Sequence, residues 1–355
     1  MIDEHVPMPD RDGGSARMCA ILDLLRGNGW APALVALDGR RIEPYAGALA
    51  RDGIPIATTR RDARALIRAA EAVWICRPEA ARAWMDEARA LNPGARIAYD
   101  MVDLHHVREA RRDDVLGTKS AHHRTRERER AAVAGADVVV AVSEAEAAAV
   151  ADHARSVVVV PTPYEPVDDA PGYGEREGLL FIGSFDHEPN VDAALWLVRS
   201  ILPHLPDIDL TIAGSNPPPR VRALQGEHVV VRGYVPDLGA LLRRSRVALA
   251  PLRFGAGLKA KVVQAFAYGL PVIATSVAAE GFGDAPRAAM RVEDDAAAFA
   301  AAAIDVYEDE ATWTRLSAAA RAAAEAYAPS AALEAVLRAV AGFDAPDGAS
   351  GVSST

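Results

Sequence analysis

Cysteine is nearly absent: Cys19 and Cys76 are too few and too far apart in a 355-residue chain for a disulfide framework or a thiolate metal site, which leaves a reducing cytoplasm as the default setting. A secretory leader is not expected either, because the opening MIDEHVPMPDRDGG is acidic and broken by proline where a leader would be basic and then apolar. No apolar run has the length of a membrane-spanning helix, and the run before Val142 is interrupted by Asp137. Basic residues are short too. With 39 Lys and Arg against 49 Asp and Glu the net charge is −10, which argues against nucleic acid as the main partner, since phosphate-backbone binding needs a basic face. Hydrophobic residues are plentiful: at 50% of the chain they can bury large cores, and the length fits about two domains.

The first half alternates short β-branched runs with alanine-rich helical ones. Strands are predicted at Ala33–Leu37, Ile54–Ala57, Ala72–Cys76, Ile97–Met101, Asp137–Val142 and Val157–Val160. Helices are predicted at Ser15–Arg26, Asp62–Ala70, Glu79–Leu91, Glu144–Asp152 and, as one long charged element, Arg108 to Ala134. Such alternation implies right-handed β-α-β units and a parallel sheet covered on both faces, with ligands at the carboxyl ends of the strands. Two strand ends carry chemistry. Gly13-Gly14-Ser15 would let a ligand approach a helix N-terminus, or would be a plain loop with Ser15 as the cap. Asp100, Asp103, His105 and His106 form an ionisable cluster fit for acid–base or substrate-orienting work, or for a solvated surface. The dense charge of Arg108 to Arg130 reads first as a solvated helix with internal ion pairs; a basic face for an acidic acceptor or lipid headgroup is the alternative. Residues 161–178, PTPYEPVDDAPGYGEREG, read as an interdomain linker.

A second alternating series follows. Strands are predicted at Leu179–Ile182, Asp209–Ala213, Val229–Val231, Val247–Ala250, Val272–Ala274 and Met290–Val292, with helices at Val191–Ile201, Arg220–Leu224, Leu238–Arg244, Leu258–Tyr268, Asp294–Val306 and Glu310–Tyr327. The first of these strands opens into Gly183-Ser184 and a loop whose helix is capped by Asn190. At the centre stands Pro251 to Gly281: a strand, the turn Gly255-Ala256-Gly257, a helix and another strand. The unpaired N–H groups of that helix, its positive dipole end, and the Arg253 and Lys259 side chains together suit an anion; a tight connection with solvated cations is the competing reading.

These residues carry a resemblance. FIGSFDHEPNVDAALWL, then LTIAG, then VVVRGYVPDLGALLRRSRVALAPLRFGAGLKAKVVQAFAYGLPVIATSVAAEGF are similar, in order and spacing from Leu179 to Phe282, to the donor-binding half of glycosyltransferases of the two-Rossmann (GT-B) fold, in particular the large retaining family 4-like group. PDRDGGSAR, YDMVDLHHVREAR and ADVVVAVSEAE resemble the acceptor half more loosely. The resemblance implies an α/β chain of two Rossmann-like doubly wound domains facing across a cleft. An acceptor-side domain would span 1–165, with a C-terminal helix 329–342 packing back on it; a sugar-nucleotide domain would span 166–328; a disordered tail would occupy 343–355. It implies a first strand with several more apolar residues ahead of Ile2.

The resemblance also implies that a nucleoside-diphosphate sugar is the substrate, its diphosphate lying near Gly257, Leu258 and Lys259 with Arg253 and Lys259 neutralising it, and with Gly183, Ser184, Gly255, Gln264 and Glu280 completing the donor site. Family members usually have two glutamates eight positions apart here; this chain has Ala256 and Gln264, and the Arg/Lys pair common after the first strand gives way to Asp186-His187-Glu188. Gln264 still accepts a bond from a ribose hydroxyl, without charge. His105, His106 and Asp103 are the candidate catalytic groups, and Gly13, Gly14 and Ser15 the acceptor side. The expected activity is a metal-independent, retaining sugar transfer for polysaccharide or cell-envelope glycans, with no cofactor, a glycan or lipid-linked acceptor, and a cytoplasmic location with peripheral membrane contact left open. A sugar-nucleotide 2-epimerase and a non-catalytic binding member share the fold and stay as alternatives. A dehydrogenase is disfavoured, because the glycine turn follows the fourth strand of its sheet and not the first. Asp10-Arg11-Asp12 and Asp207-Ile208-Asp209 invite a metal reading but read as turn residues, so no metal is expected.

Overall fold

The computed structural model describes residues 1–341; the tail expected at 343–355, and the last residue of the helix expected at 329–342, lie outside the described residues. Two parallel sheets dominate. The first contains β1 (Ile2–Asp3), β2 (Leu34–Ala36), β3 (Ile56–Ala57), β4 (Ala72–Cys76), β5 (Arg96–Asp100), β6 (Val138–Ala141) and β7 (Val157–Val159), in the order β3-β2-β1-β4-β5-β6-β7. The second contains β8 (Leu179–Ile182), β9 (Leu210–Ala213), β10 (Val229–Gly233), β11 (Val247–Ala250), β12 (Val272–Ala274) and β13 (Met290–Val292), in the order β10-β9-β8-β11-β12-β13. Both orders reverse direction in mid-sheet, at β1/β4 and at β8/β11, which defines two doubly wound Rossmann-like units. Crevices open at such reversals, beyond the carboxyl ends of the strands.

The central strands are largely apolar because both faces of each sheet are covered there, whereas the edge strand β10 is partly exposed. In β5 the side chains alternate: Ile97 and Tyr99 face one layer of helices, while Ala98 faces the other with Trp74 and Val140. That second layer is built by Met18, Ile21 and Leu22 of the helix Gly13–Gly27 and by Val336, Ala339 and Val340 of the last described helix, Pro329–Ala341, which returns from the second unit. β1 is two residues long, yet it is central, with Ile2 opposite both Val35 and Ile75. The linker region is pinned by Arg176, whose buried guanidinium donates to the carbonyls of Pro171, Leu242, Ser245 and Tyr268.

Several helices depart from expectation. The long charged helix is two, His105–Leu116 and His122–Gly135, because Gly117 takes a left-handed conformation (φ 66°) and Asp113 binds Thr118 and Ser120 to hold the turn. The helix Tyr45–Arg51, which the sequence reading left out, forms behind Pro44. The expected Val191–Ile201 starts earlier, as Glu188–Trp196, and then widens into a π turn over Leu197–Ile201.

Candidate functional site

The two reversal points face each other, and between them lies a cleft of about 310 Å³. Several helix N-termini open onto it, among them those of Gly13–Gly27, Glu188–Trp196 and Ala260–Ala267. The partial positive charge of these helix starts makes the region attractive to anions in a chain whose net charge is −10.

The second-unit wall is the glycine turn. β11 runs into Pro251, and the turn reaches Lys259, which stands at the N-cap of Ala260–Ala267 with no side chain capping that helix. The Lys259 side chain is 8% exposed, and its ammonium donates only to the carbonyls of Ala256 (3.2 Å) and Gly257. Lys261 reaches the same cleft, donates to Asn190 Oδ1, and lies 4.7 Å from the centre of the Phe181 ring. Among the described residues no carboxylate lies within ion-pair distance of either ammonium. Burial pulls the Lys259 pKa down to about 8, with Glu280, Glu146 and Asp103 opposing it at longer range. Gly257 is required where it stands: its φ is 70°, and a Cβ there would sit 2.9 Å from the Asp103 Cβ of the first unit.

The first-unit wall carries Asp103 at the end of β5. Two buried glutamates build that loop: Glu146 accepts from the Leu104 N–H (3.2 Å), and Glu129 accepts from the His105 N–H (2.6 Å) and holds the His106 ring. Asp103 faces the cleft and is gripped by Arg108 and, at 3.0 Å without hydrogen-bond alignment, by His105 Nε2. Burial would raise the Asp103 pKa, but Arg108 and His105 outweigh it and hold the carboxylate well below its usual range. For His105 burial works the other way and is likewise outweighed, by Asp103, so its pKa is raised. Arg77 and Val102, at the ends of β4 and β5, both line the cleft with positive φ (74° and 63°). Non-glycine residues held so cost of order 1 to 3 kcal/mol each and cluster at functional sites.

Of the residues singled out in the sequence, Gly13, Gly14, Asp103, Gly183, Ser184, Gly255, Leu258, Lys259 and Gln264 line the cleft. Others are corrected. His105 and His106 lie behind the wall, engaged by Asp103 and Glu129. Arg253 is bound to Asp192 through both carboxylate oxygens, so its charge is already met. Glu280 is bound at 2.6 and 2.8 Å by Arg111 of the first unit, on a separate groove. Ser15 is not the cap: Asp12 is, accepting the Ser15 N–H and hydroxyl. Asn190 is not a cap either, since His187 precedes the helix and Asn190 bonds Ser184 O and Lys261. Asp100 is structural, bound to Arg17 and Trp74. Lys261, Arg77 and Arg108 went unnoticed. Lys261 had a signal, a second cation two residues after Lys259 at a helix start; the others are brought in by folding alone.

Two facing Rossmann-like units with an anion-suited cleft between them are the GT-B class of fold. Residues 176–309, most of the second unit, match the family model for glycosyl transferases group 1. Sucrose-phosphate synthase from Thermosynechococcus elongatus superposes with TM-score 0.71 at 16% identity, over 94% of this chain and 95% of its own. HepE of Anabaena, solved with UDP and glucose, gives 0.73 at 13% identity, over 96% and 98%. WaaG, a glycosyltransferase involved in lipopolysaccharide biosynthesis, gives 0.61 at 15%, over 94% and 97%. No curated protein sequence matches the chain.

Proposed function

We propose that this chain is a glycosyltransferase that moves a sugar from a nucleoside-diphosphate sugar to an acceptor in glycan synthesis. One observation carries the reading: the buried Lys259 ammonium, bonded only to backbone carbonyls, stands at an uncapped helix N-terminus on the cleft wall, inside the segment that matches glycosyl transferases group 1. A diphosphate supplies the missing countercharge there. Gln264, further along the same helix, also lines the cleft, and in this reading it binds the ribose hydroxyls. HepE, solved with UDP and glucose in the same fold, supports a nucleotide sugar in this cleft.

In this reading the acceptor enters past Gly13 and Gly14, and Asp103 faces the reacting sugar. His105 is a positioning residue that acts through Asp103, and His106 serves the loop through Glu129. Fixed cations, not a divalent metal or a cofactor, offset the diphosphate charge, and the anomeric configuration is retained. The acceptor is a glycan or a lipid-linked sugar met at a membrane surface; among the described residues no helix is long and apolar enough to cross one.

The test is a thermal-shift screen against UDP-, GDP-, ADP- and dTDP-sugars, in which a ligand at a hundred times its Kd adds about 2.7 kcal/mol. Incubation of the stabilising donor with candidate acceptors then distinguishes transfer from epimerisation and from binding alone, EDTA tests the metal-free reading, and the anomeric product tests retention. No stabilisation by any donor overturns the reading.

A further inference from the structure

Lys261 is the more isolated of the two cleft lysines. An ammonium has three N–H bonds to place, and Asn190 Oδ1 takes one of them. It lies over the Phe181 ring and shares a small apolar cavity with Ile182 of β8 and Ala248 and Ala250 of β11; among the described residues the only other charged group acting on it is Lys259, of its own sign. A cation in that position is unfavourable unless an anion completes it. Its exposed side opens on the cleft that also holds Lys259.

Resting on the reading of the cleft as a donor site, we propose that Lys261 is a second diphosphate-binding residue, so that Lys259 and Lys261 together select a ligand with two adjoining anionic centres over one with a single centre. Asn190 positions the Lys261 ammonium from the neighbouring helix start, and the Phe181 ring supports it from below. Burial, with Lys259 adding to it, pulls the Lys261 pKa down to about 7. The free protein therefore loses this cation as pH rises through that value, whereas a bound diphosphate holds the proton on. Diphosphate affinity is thus greatest below about pH 7 and falls above it.

The experiment is calorimetric titration of the full chain with inorganic pyrophosphate, and with inorganic phosphate for comparison, at pH 6.3 and pH 8.3, on the wild type and on Lys261→Met, Lys261→Arg and Lys259→Met. At pH 6.3 Lys261→Met is expected to bind pyrophosphate about ten- to a hundredfold more weakly and to lose most of the wild-type preference over phosphate. Lys261→Arg, permanently charged, is expected to keep affinity and to flatten the pH dependence. Lys261→Met removes an ammonium that lacks a counterion, so its melting temperature is expected not to fall, and Lys261→Arg covers the case in which it does. Unchanged pyrophosphate affinity in Lys261→Met beside a weakened Lys259→Met overturns this inference and leaves the donor site standing. A wild type that binds no pyrophosphate overturns both.

Discussion

Glu146 is held between a charge that repels it and one that attracts it. Its Oε1 accepts from Leu104, its Oε2 has no hydrogen-bond partner among the described residues, and it is 7% exposed. Burial first, and then the Asp103 charge, raise its pKa to about 7, against Lys259, which lowers it. The sign follows from linkage: the folded state keeps this proton to a higher pH than the unfolded chain, so stability falls as pH rises from the ordinary carboxyl range to about 7. Glu146→Gln keeps an acceptor for Leu104 and has no proton to lose. It is expected to match the wild type in urea unfolding at pH 5 and to exceed it by about 1 to 3 kcal/mol at pH 8. A difference equal at both values would mean that the carboxyl ionises freely. Lys259 is the other residue on which the site turns. A charge-assisted bond contributes roughly 1.5 to 3 kcal/mol, so Lys259→Ala is expected to weaken binding of the stabilising donor about ten- to a hundredfold, read by calorimetry on a folded variant. An unchanged affinity would move the diphosphate elsewhere in the cleft.

Each helix that opens on the cleft needs its first turn held in place, and for Gly13–Gly27 that is the work of Asp12. Asp12→Ala removes the acceptor of the Ser15 N–H and is expected to destabilise the chain by about 1 kcal/mol, read as a lower urea midpoint at unchanged slope; Asp12→Asn is expected to restore most of it. At this scale much was legible beforehand. β4, β8, β11, β12 and β13 fall where the apolar runs predict them, because a strand buried on both faces in a parallel sheet is a continuous β-branched run bounded by turn residues. Two doubly wound sheets followed from the linker and the second series, and their GT-B pairing from the resemblance of Leu179 to Phe282. Pairing between distant residues was not legible. Arg253 looked like a free cation because Asp192 stands 61 residues away, and Glu280 looked like a donor ligand because Arg111 stands 169 residues away. His105 and His106 sit at a strand end, as read, but the buried Glu129 that turns them from the cleft lies on a helix that the charge pattern offered as solvated.

The cleft is bridged on both sides. On one, Arg11 lies 3.7 Å from the centre of the Tyr234 ring, and the Ser215 hydroxyl donates to the Arg11 carbonyl at 3.1 Å. On the other, Arg111 grips Glu280 with two nitrogens and donates to the carbonyl of Gly255, inside the glycine turn, at 2.8 Å. These contacts hold the units in a closed arrangement, and the second ties closure directly to the loop that would carry the diphosphate. Arg111 is about one-third exposed, so the pair is screened and contributes no more than about 1 kcal/mol. Its loss is therefore expected to lower the melting temperature of Arg111→Ala by no more than about 2 to 4 °C. If donor binding requires closure, the same energy reappears as work the ligand must do, a weakening of up to about fivefold. X-ray scattering of the ligand-free variant should then give a larger radius of gyration than the wild type, with saturating donor bringing the two together. Arg111→Glu combined with Glu280→Arg restores the pair with its charges exchanged and should recover both the compact form and the affinity. Identical scattering curves and identical affinities for Arg111→Ala and the wild type would reduce the contact to a surface ion pair and leave closure to Tyr234 and the rim opposite.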